Sequence, residues 1–141
     1  MTDISLSTET MDYIRTATNI CHVDILDCLI EDDKVVFVVR QGHLGAAIGK
    51  KAKNLERLRG LFKKTIKFVE FHTDKTLFIR NLCKPYELKE ITFSGPEDES
   101  LVRIMVNLKD KSKLIGKRGS NIDLIRQLAK RHYNFKDVQI K

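Results

Sequence analysis

The chain has 141 residues, of which 42% are hydrophobic and 32% charged, with a formal net charge of +7. No apolar run approaches the roughly 18 residues of a membrane span and no segment reads as a signal peptide, so a soluble, cytoplasmic protein without membrane contact is expected. Cys21, Cys28 and Cys83 are an odd set without zinc-like spacing; they read as small apolar fillers in a reducing compartment.

Residues 7–19 are predicted as an opening helix. Ser7 can cap it, Glu9 suits its first turn, and Met11, Ile14 and Ala17 recur at helical spacing. A strand is predicted over 21–30, a turn at Glu31-Asp32-Asp33, and a well-buried strand over the Val- and Phe-rich residues 34–39, together a hairpin. Residues 43–48 suit a short helix broken at Gly49. A second helix over 53–64 turns Leu55, Leu58, Leu61 and Phe62 inward and leaves Arg57, Lys63 and Lys64 to solvent. A strand over 66–71 follows, with Ile66 and Phe68 inward and Val69 as a further candidate. The second half repeats this order. It has a helix over 75–83 stopped by Pro85, a strand over 87–94, a turn at 95–99, a strand over 101–107 and a short helix over 110–115. A helix over 120–132 buries Ile122, Ile125, Leu128 and Ala129, with Ser120 and Asp123 as a capping box, and residues 136–141 supply a last strand. Apart from the first few residues, no segment is biased enough to read as disordered.

The order repeats because the sequence does. Ile48-Gly49-Lys50-Lys51-Ala52-Lys53-Asn54-Leu55 returns as Ile115-Gly116-Lys117-Arg118-Gly119-Ser120-Asn121-Ile122, and residues 34–64 align with 101–131 without a gap at a constant offset of 67. Two small domains of one design are expected, 1–72 and 73–141, with a short join near His72–Lys75. Lobes of about 70 residues are marginal alone, so they are expected to pack together.

Charge is gathered around the repeated motif. Residues 1–39 hold 2 basic and 8 acidic side chains, residues 40–67 hold 9 and 1, and residues 109–131 hold 8 and 2. Such clustering suits a polyanion, against the blander possibility of solvated helix faces. The motif itself suits a phosphate. Its glycines permit a sharp turn without Cβ atoms, the following helix aims its N-terminal amides and dipole at the same spot, and the middle pairs Lys50-Lys51 and Lys117-Arg118 add mobile charge.

On these residues the chain resembles the KH domain family of single-stranded nucleic-acid binders, in two tandem copies over nearly its whole length. Ile115-Gly116-Lys117-Arg118-Gly119 is the family's Ile-Gly-x-x-Gly in full, whereas the first copy ends in Ala52, which adds a methyl at the point of closest approach. Two strands before the loop and one after it match the prokaryotic, type II arrangement. The expected fold is thus α+β, with α-β-β-α-α-β in each domain; the ten residues after Arg131 accommodate one strand. Tandem type II lobes with a short join are most similar to the NusA-like family of transcription elongation and termination factors, in its short archaeal form. The polymerase-binding and S1 domains of bacterial members are not expected in this length.

The resemblance implies a non-enzymatic protein that binds nascent single-stranded RNA during termination or antitermination, with RNA polymerase as a candidate protein partner and no cofactor, metal or small-molecule substrate. It implies RNA contact by Gly49, Lys50, Lys51, Ala52 and Lys53 in the first copy, less tightly on account of Ala52. In the second it implies contact by Gly116, Lys117, Arg118 and Gly119, with Ser120 and Asn121 flanking. Each KH domain clamps about four nucleotides. Ile48, Leu55, Ile115 and Ile122 would then floor a base-binding groove, or else serve as ordinary core.

Other readings fit less well. A nucleotide-hydrolase loop needs Gly-x-x-x-x-Gly-Lys-Ser/Thr, but Leu44 and Lys111 stand at the first glycine and Lys51 and Arg118 at the hydroxyl. A helix-turn-helix would turn Arg126, Lys130 and Arg131 to a DNA groove, yet each motif follows a hairpin and carries its basic pair in the turn. A KH-like module acting in ribosome assembly or docking on protein is a further alternative. His22, His43, His72 and His132 are scattered, and Asp24, Asp27, Asp32 and Asp33 read as strand and turn residues, so no catalytic constellation emerges.

Overall fold

In the computed structural model, which describes residues 7–141, helix α1 (Thr8–Cys21) starts at Ser7, whose hydroxyl accepts from the Thr10 amide at 3.1 Å. The first few residues, read from the sequence as disordered, lie outside the described residues. The helix runs past residue 19 until His22 takes a left-handed conformation and its N–H bonds the Thr18 carbonyl. Cys21 therefore closes the helix, and strand β1 (Ile25–Ile30) starts later than expected. Met11 is 49% exposed, against expectation. At 3.6 residues per turn it sits about 120° around the helix from Ala17, off the face that carries Tyr13, Ile14 and Cys21 to the core.

Strand β2 (Lys34–Val39) pairs antiparallel with β1, and β3 (Thr65–Glu70) joins it on the other side in parallel, so β2 is central. A parallel partner needs a crossover, and helices α2 (Leu44–Ile48) and α3 (Lys53–Phe62) supply it. Val35, Phe37 and Val39 meet Ala17, Cys21, Ala47 and Leu58 in the first core. The Phe37 ring lies 5.8 Å from Phe68 and 6.3 Å from Phe62, and Phe62 stacks on Tyr13 at 4.2 Å. Leu61, expected inward, is 56% exposed. Neighbours on a helix diverge by about 100°, so Leu61 and Phe62 cannot share the core face, and the stacked ring occupies it. Lys64, expected in solvent, is half-buried, and its Nζ donates to the Glu31 carbonyl at 2.7 Å.

Among the described residues the chain divides after Thr73, and the second unit, Asp74–Lys141, repeats the plan. Helix α4 (Lys75–Cys83) is capped by Asp74, whose carboxylate accepts from the Thr76 amide at 2.8 Å. Strands β4 (Leu88–Ser94), β5 (Ser100–Val106) and β6 (Phe135–Ile140) stand in the order β4-β5-β6, antiparallel then parallel. Helices α5 (Leu108–Ile115) and α6 (Ser120–His132) make the crossover. Each unit is α-β-β-α-α-β, the type II order, in an α+β fold. The capping box at Ser120 is not formed: Gly119 holds the N-cap position without a side-chain bond, and Asp123 pairs with Arg126 instead. Both hairpins carry a bulge at the same place, between Ile25 and Asp27 and between Leu88 and Glu90.

All three cysteines are buried and none is in a disulfide; burial pushes the Cys21 thiol up, so it stays protonated at neutral pH. Among the described residues no helix is long and apolar enough to cross a membrane. Removal of the Phe37 ring by Phe37→Ala is expected to cost about 3–5 kcal/mol in urea unfolding. Leu61→Ala, made on the exposed side of α3, should stay within about 0.5 kcal/mol.

Candidate nucleic-acid interface

The connection between paired helices has the same shape in both units. Helix α2 ends at Gly49 (φ 82°, ψ 165°), a tight 3-10 turn follows over Lys50–Ala52, and α3 begins at Lys53. Helix α5 ends at Gly116 (φ 80°, ψ 171°), the turn covers Lys117–Gly119, and α6 begins at Ser120. Lys51 and Arg118 both stand at φ 56°, and Ala52 (φ 59°) takes the left-handed place held by Gly119 (φ 73°). Left-handed backbone costs an L-residue about 1–2 kcal/mol. Lys51, Ala52 and Arg118 therefore hold strain that the surrounding packing enforces.

The two glycines of a motif do different work. A Cβ on Gly116 would lie 2.7 Å from Asn121 Cβ and 2.8 Å from the Asn121 amide nitrogen, and one on Gly49 would lie 2.9 Å from Asn54 Cγ. The first glycine is thus required by space as well as by φ. A Cβ on Gly119 would meet only Ile122 Cγ2, at 3.8 Å, which is ordinary contact. The methyl of Ala52 fits for the same reason, and its cost is conformational.

The close approach at the first glycine brings an asparagine amide to the preceding helix. Asn121 Nδ2 donates to the Leu114 carbonyl at 2.7 Å, and Asn54 Nδ2 to the Ala46 carbonyl at 3.2 Å. Each bond ties the end of one helix to the start of the next. Asn54 is not among the residues picked from the sequence; its alignment with Asn121 in the repeat was the available signal.

Lys50, Lys51, Lys53, Lys117, Arg118 and Ser120 are exposed, and Gly49, Ala52, Gly116, Gly119 and Asn121 are half-buried. Among the described residues no carboxylate lies within salt-bridge distance of Lys50, Lys51, Lys53, Lys117 or Arg118. The helix behind each loop also lacks a side-chain cap, whereas α1 and α4 have one. The carboxylates in those first turns are engaged three residues on, Glu56 with Arg59 at 2.9 Å and Asp123 with Arg126 at 3.2 Å. What remains at each loop is uncompensated positive charge at a helix N-terminus, which suits an anion. Of the proposed groove floor, Ile48, Leu55 and Ile115 are half-buried and Ile122 is buried in the core.

Two of the three cations that a helix-turn-helix would need are engaged with strand β6. Arg126 donates to the Val138 carbonyl at 2.9 Å and pairs with Asp137 at 3.2 Å, and Lys130 lies 3.8 Å from the same carboxylate. The histidines have structural surroundings. His22 ends α1, His43 Nδ1 accepts from the Asp24 amide at 3.4 Å, His72 meets Gln41 at 3.3 Å, and buried His132 stands edge-on to Phe78.

A type II fold whose paired helices are joined by an exposed, cation-bearing glycine turn defines a KH domain, here present in tandem. Residues 13–73 match the KH domain family, and residues 75–141 match the NusA-like second KH domain. The chain belongs to the archaeal NusA-like family of KH-domain, RNA-binding factors. It is 30% identical over 140 residues to the probable transcription termination protein NusA of Methanocaldococcus jannaschii, spanning 99% of this chain and 76% of that protein. It is 31% identical over 137 residues to the protein of the same name from Halobacterium salinarum, spanning 97% and 98%. The crystal structure of APE1850 superposes with a TM-score of 0.78 at 26% identity, over 96% of this chain and 100% of that one.

The unequal glycines give a stability test. Gly119→Ala should cost about 1–2 kcal/mol, the left-handed penalty alone. Gly116→Ala should cost about 2–4 kcal/mol, because the clash with Asn121 adds an overpacking term. Chemical denaturation of the two variants should rank them in that order.

Proposed function

We propose that the chain binds single-stranded RNA through both loops and acts on nascent transcripts as a termination or antitermination factor, without catalysing a reaction. The observation that carries this reading is the pair of exposed cation clusters, unpaired among the described residues, on strained glycine turns, each at an uncapped helix N-terminus. In the second unit Gly116, Lys117, Arg118 and Gly119 hold the sugar-phosphate chain, with Ser120 and Asn121 beside it. In the first, Gly49, Lys50, Lys51, Ala52 and Lys53 do the same. Backbone turns hold the phosphates, and half-buried Ile48, Leu55 and Ile115 offer apolar contact to base faces. Few aromatic side chains lie near the loops, so affinity rests on charge more than on stacking.

The termination role is taken from the relatives' names, and RNA polymerase in the cytoplasm is the protein partner that role requires. The second loop is the stronger of the two, since Gly119 leaves its backbone open where Ala52 projects a methyl.

Fluorescence anisotropy with labelled oligoribonucleotides tests the reading. Log affinity should fall linearly with log salt, by roughly 0.7 per phosphate held. Lys117→Asp with Arg118→Asp should keep the fold and weaken RNA by about tenfold or more, and the same change at Lys50 and Lys51 should cost less. Unchanged affinity in the folded double variant would remove the second loop from the site. Tighter binding to duplex DNA than to single-stranded RNA would favour the helix-turn-helix alternative.

A further inference from the structure

The two units differ in where charge stands next to the loop. Helix α5 of the second unit carries Lys109 and Lys113, both exposed and without an ion pair among the described residues. They are four residues apart, hence on one face and about 6 Å apart along the axis, and Lys117 continues toward the loop. Their counterparts in the first unit are Gly42 and Ala46, which carry no charge. Helix electrostatics do not account for this row. Lys113 is in the last turn of α5, where a cation is favourable, but Lys109 is in the first turn, where the dipole opposes it. Beside it Leu108 is 87% exposed, an apolar side chain next to the cations. A row of unpaired cations leading to a phosphate-binding turn, with an apolar neighbour, has the chemistry of a further stretch of nucleotide chain.

We propose that the Lys109–Lys113 face of α5 extends the RNA site of the second unit on the side that precedes its loop, a flank that carries no charge in the first unit. The inference rests on the RNA-binding reading above. Lys109→Gln with Lys113→Gln, neither in the loop, tests it against oligoribonucleotides of about four and about ten nucleotides, the shorter matching one KH groove. The longer RNA should lose about tenfold or more in affinity at low salt, and its log–log salt slope should flatten by roughly 1.4, two contacts' worth. The shorter RNA should bind as before. A thermal melt matching that of the parent chain checks the fold, since the change removes one cation the α5 dipole opposes, Lys109, and one it favours, Lys113. An unaltered slope with the longer RNA, or an equal loss with both lengths, would overturn this extension and leave the loops in place. If the parent chain bound neither RNA, the RNA-binding reading and this extension would fall together.

Discussion

The close approach of Gly49 to Asn54, and of Gly116 to Asn121, is the constraint on which the rest of each unit depends. Two helices joined by a few residues can cross in many ways. Here the asparagine amide bonds a carbonyl of the preceding helix, and the bond forms only if the backbone opposite it lacks a Cβ. That contact sets the crossing of the helix pair, and the pair in turn carries the chain from the central strand to its parallel neighbour. The left-handed residues that follow are consequences: the turn must be completed within three residues, so Lys51, Ala52 and Arg118 accept conformations they would not choose. The same geometry leaves the helix behind the turn without a side-chain cap, and so keeps its N-terminus open to an anion.

Charge in this molecule is sorted by function. Four arginines away from the turns are neutralised locally: Arg15 by Asp12, Arg40 by Asp24, Arg59 by Glu56 and Arg126 by Asp123 and Asp137. Pairs this exposed contribute little to stability. Their effect is on the field, since they remove both the cations and the carboxylates that would compete near the loops. Among the described residues the loop lysines and Arg118 have no carboxylate partner. A net charge of +7 spread evenly would give a weak, featureless field; gathered around two turns, the cations give two defined centres of positive potential.

Much of this was legible in the sequence, because the features concerned are local or repeated. Val35, Phe37 and Val39 announce a buried strand by β-branching and aromatic content. The constant offset of 67 between the motifs carries the reading of one copy onto the other. The type II order follows from counting two strands before each loop and one after. What sequence reasoning misjudged depends on tertiary choice. Met11 and Leu61 have the right residue type and nearly the right spacing, but only packing decides which part of a wide apolar stripe faces inward. Ser120 has the composition of a cap, yet the turn ends one residue earlier and places Gly119 there. The paired bulges at Leu26 and Lys89 leave no local mark, since neither strand carries a glycine or proline that would signal one. The structural use of Asn54 and Asn121 was hidden too, because a polar side chain beside a cationic loop reads more readily as a ligand contact than as a brace.

The two units show which parts of the glycine turn are fixed by sterics and which are free. The first glycine and its asparagine are present in both copies, and any side chain there meets backbone. The last position is glycine in one copy and alanine in the other, because it has room for a methyl and asks only for a positive φ. Charge is freer still. The first unit places exposed cations after the turn, at Lys53 and Arg57, where the second has Ser120 and buried Leu124. The second places them before it, at Lys109 and Lys113, where the first has Gly42 and Ala46. A long side chain with a mobile charge needs only exposure and reach, so cations can be redistributed around a turn without disturbing it. Two turns with the same backbone can in this way present their positive charge on different flanks, the shape being held by one hydrogen bond and one missing Cβ.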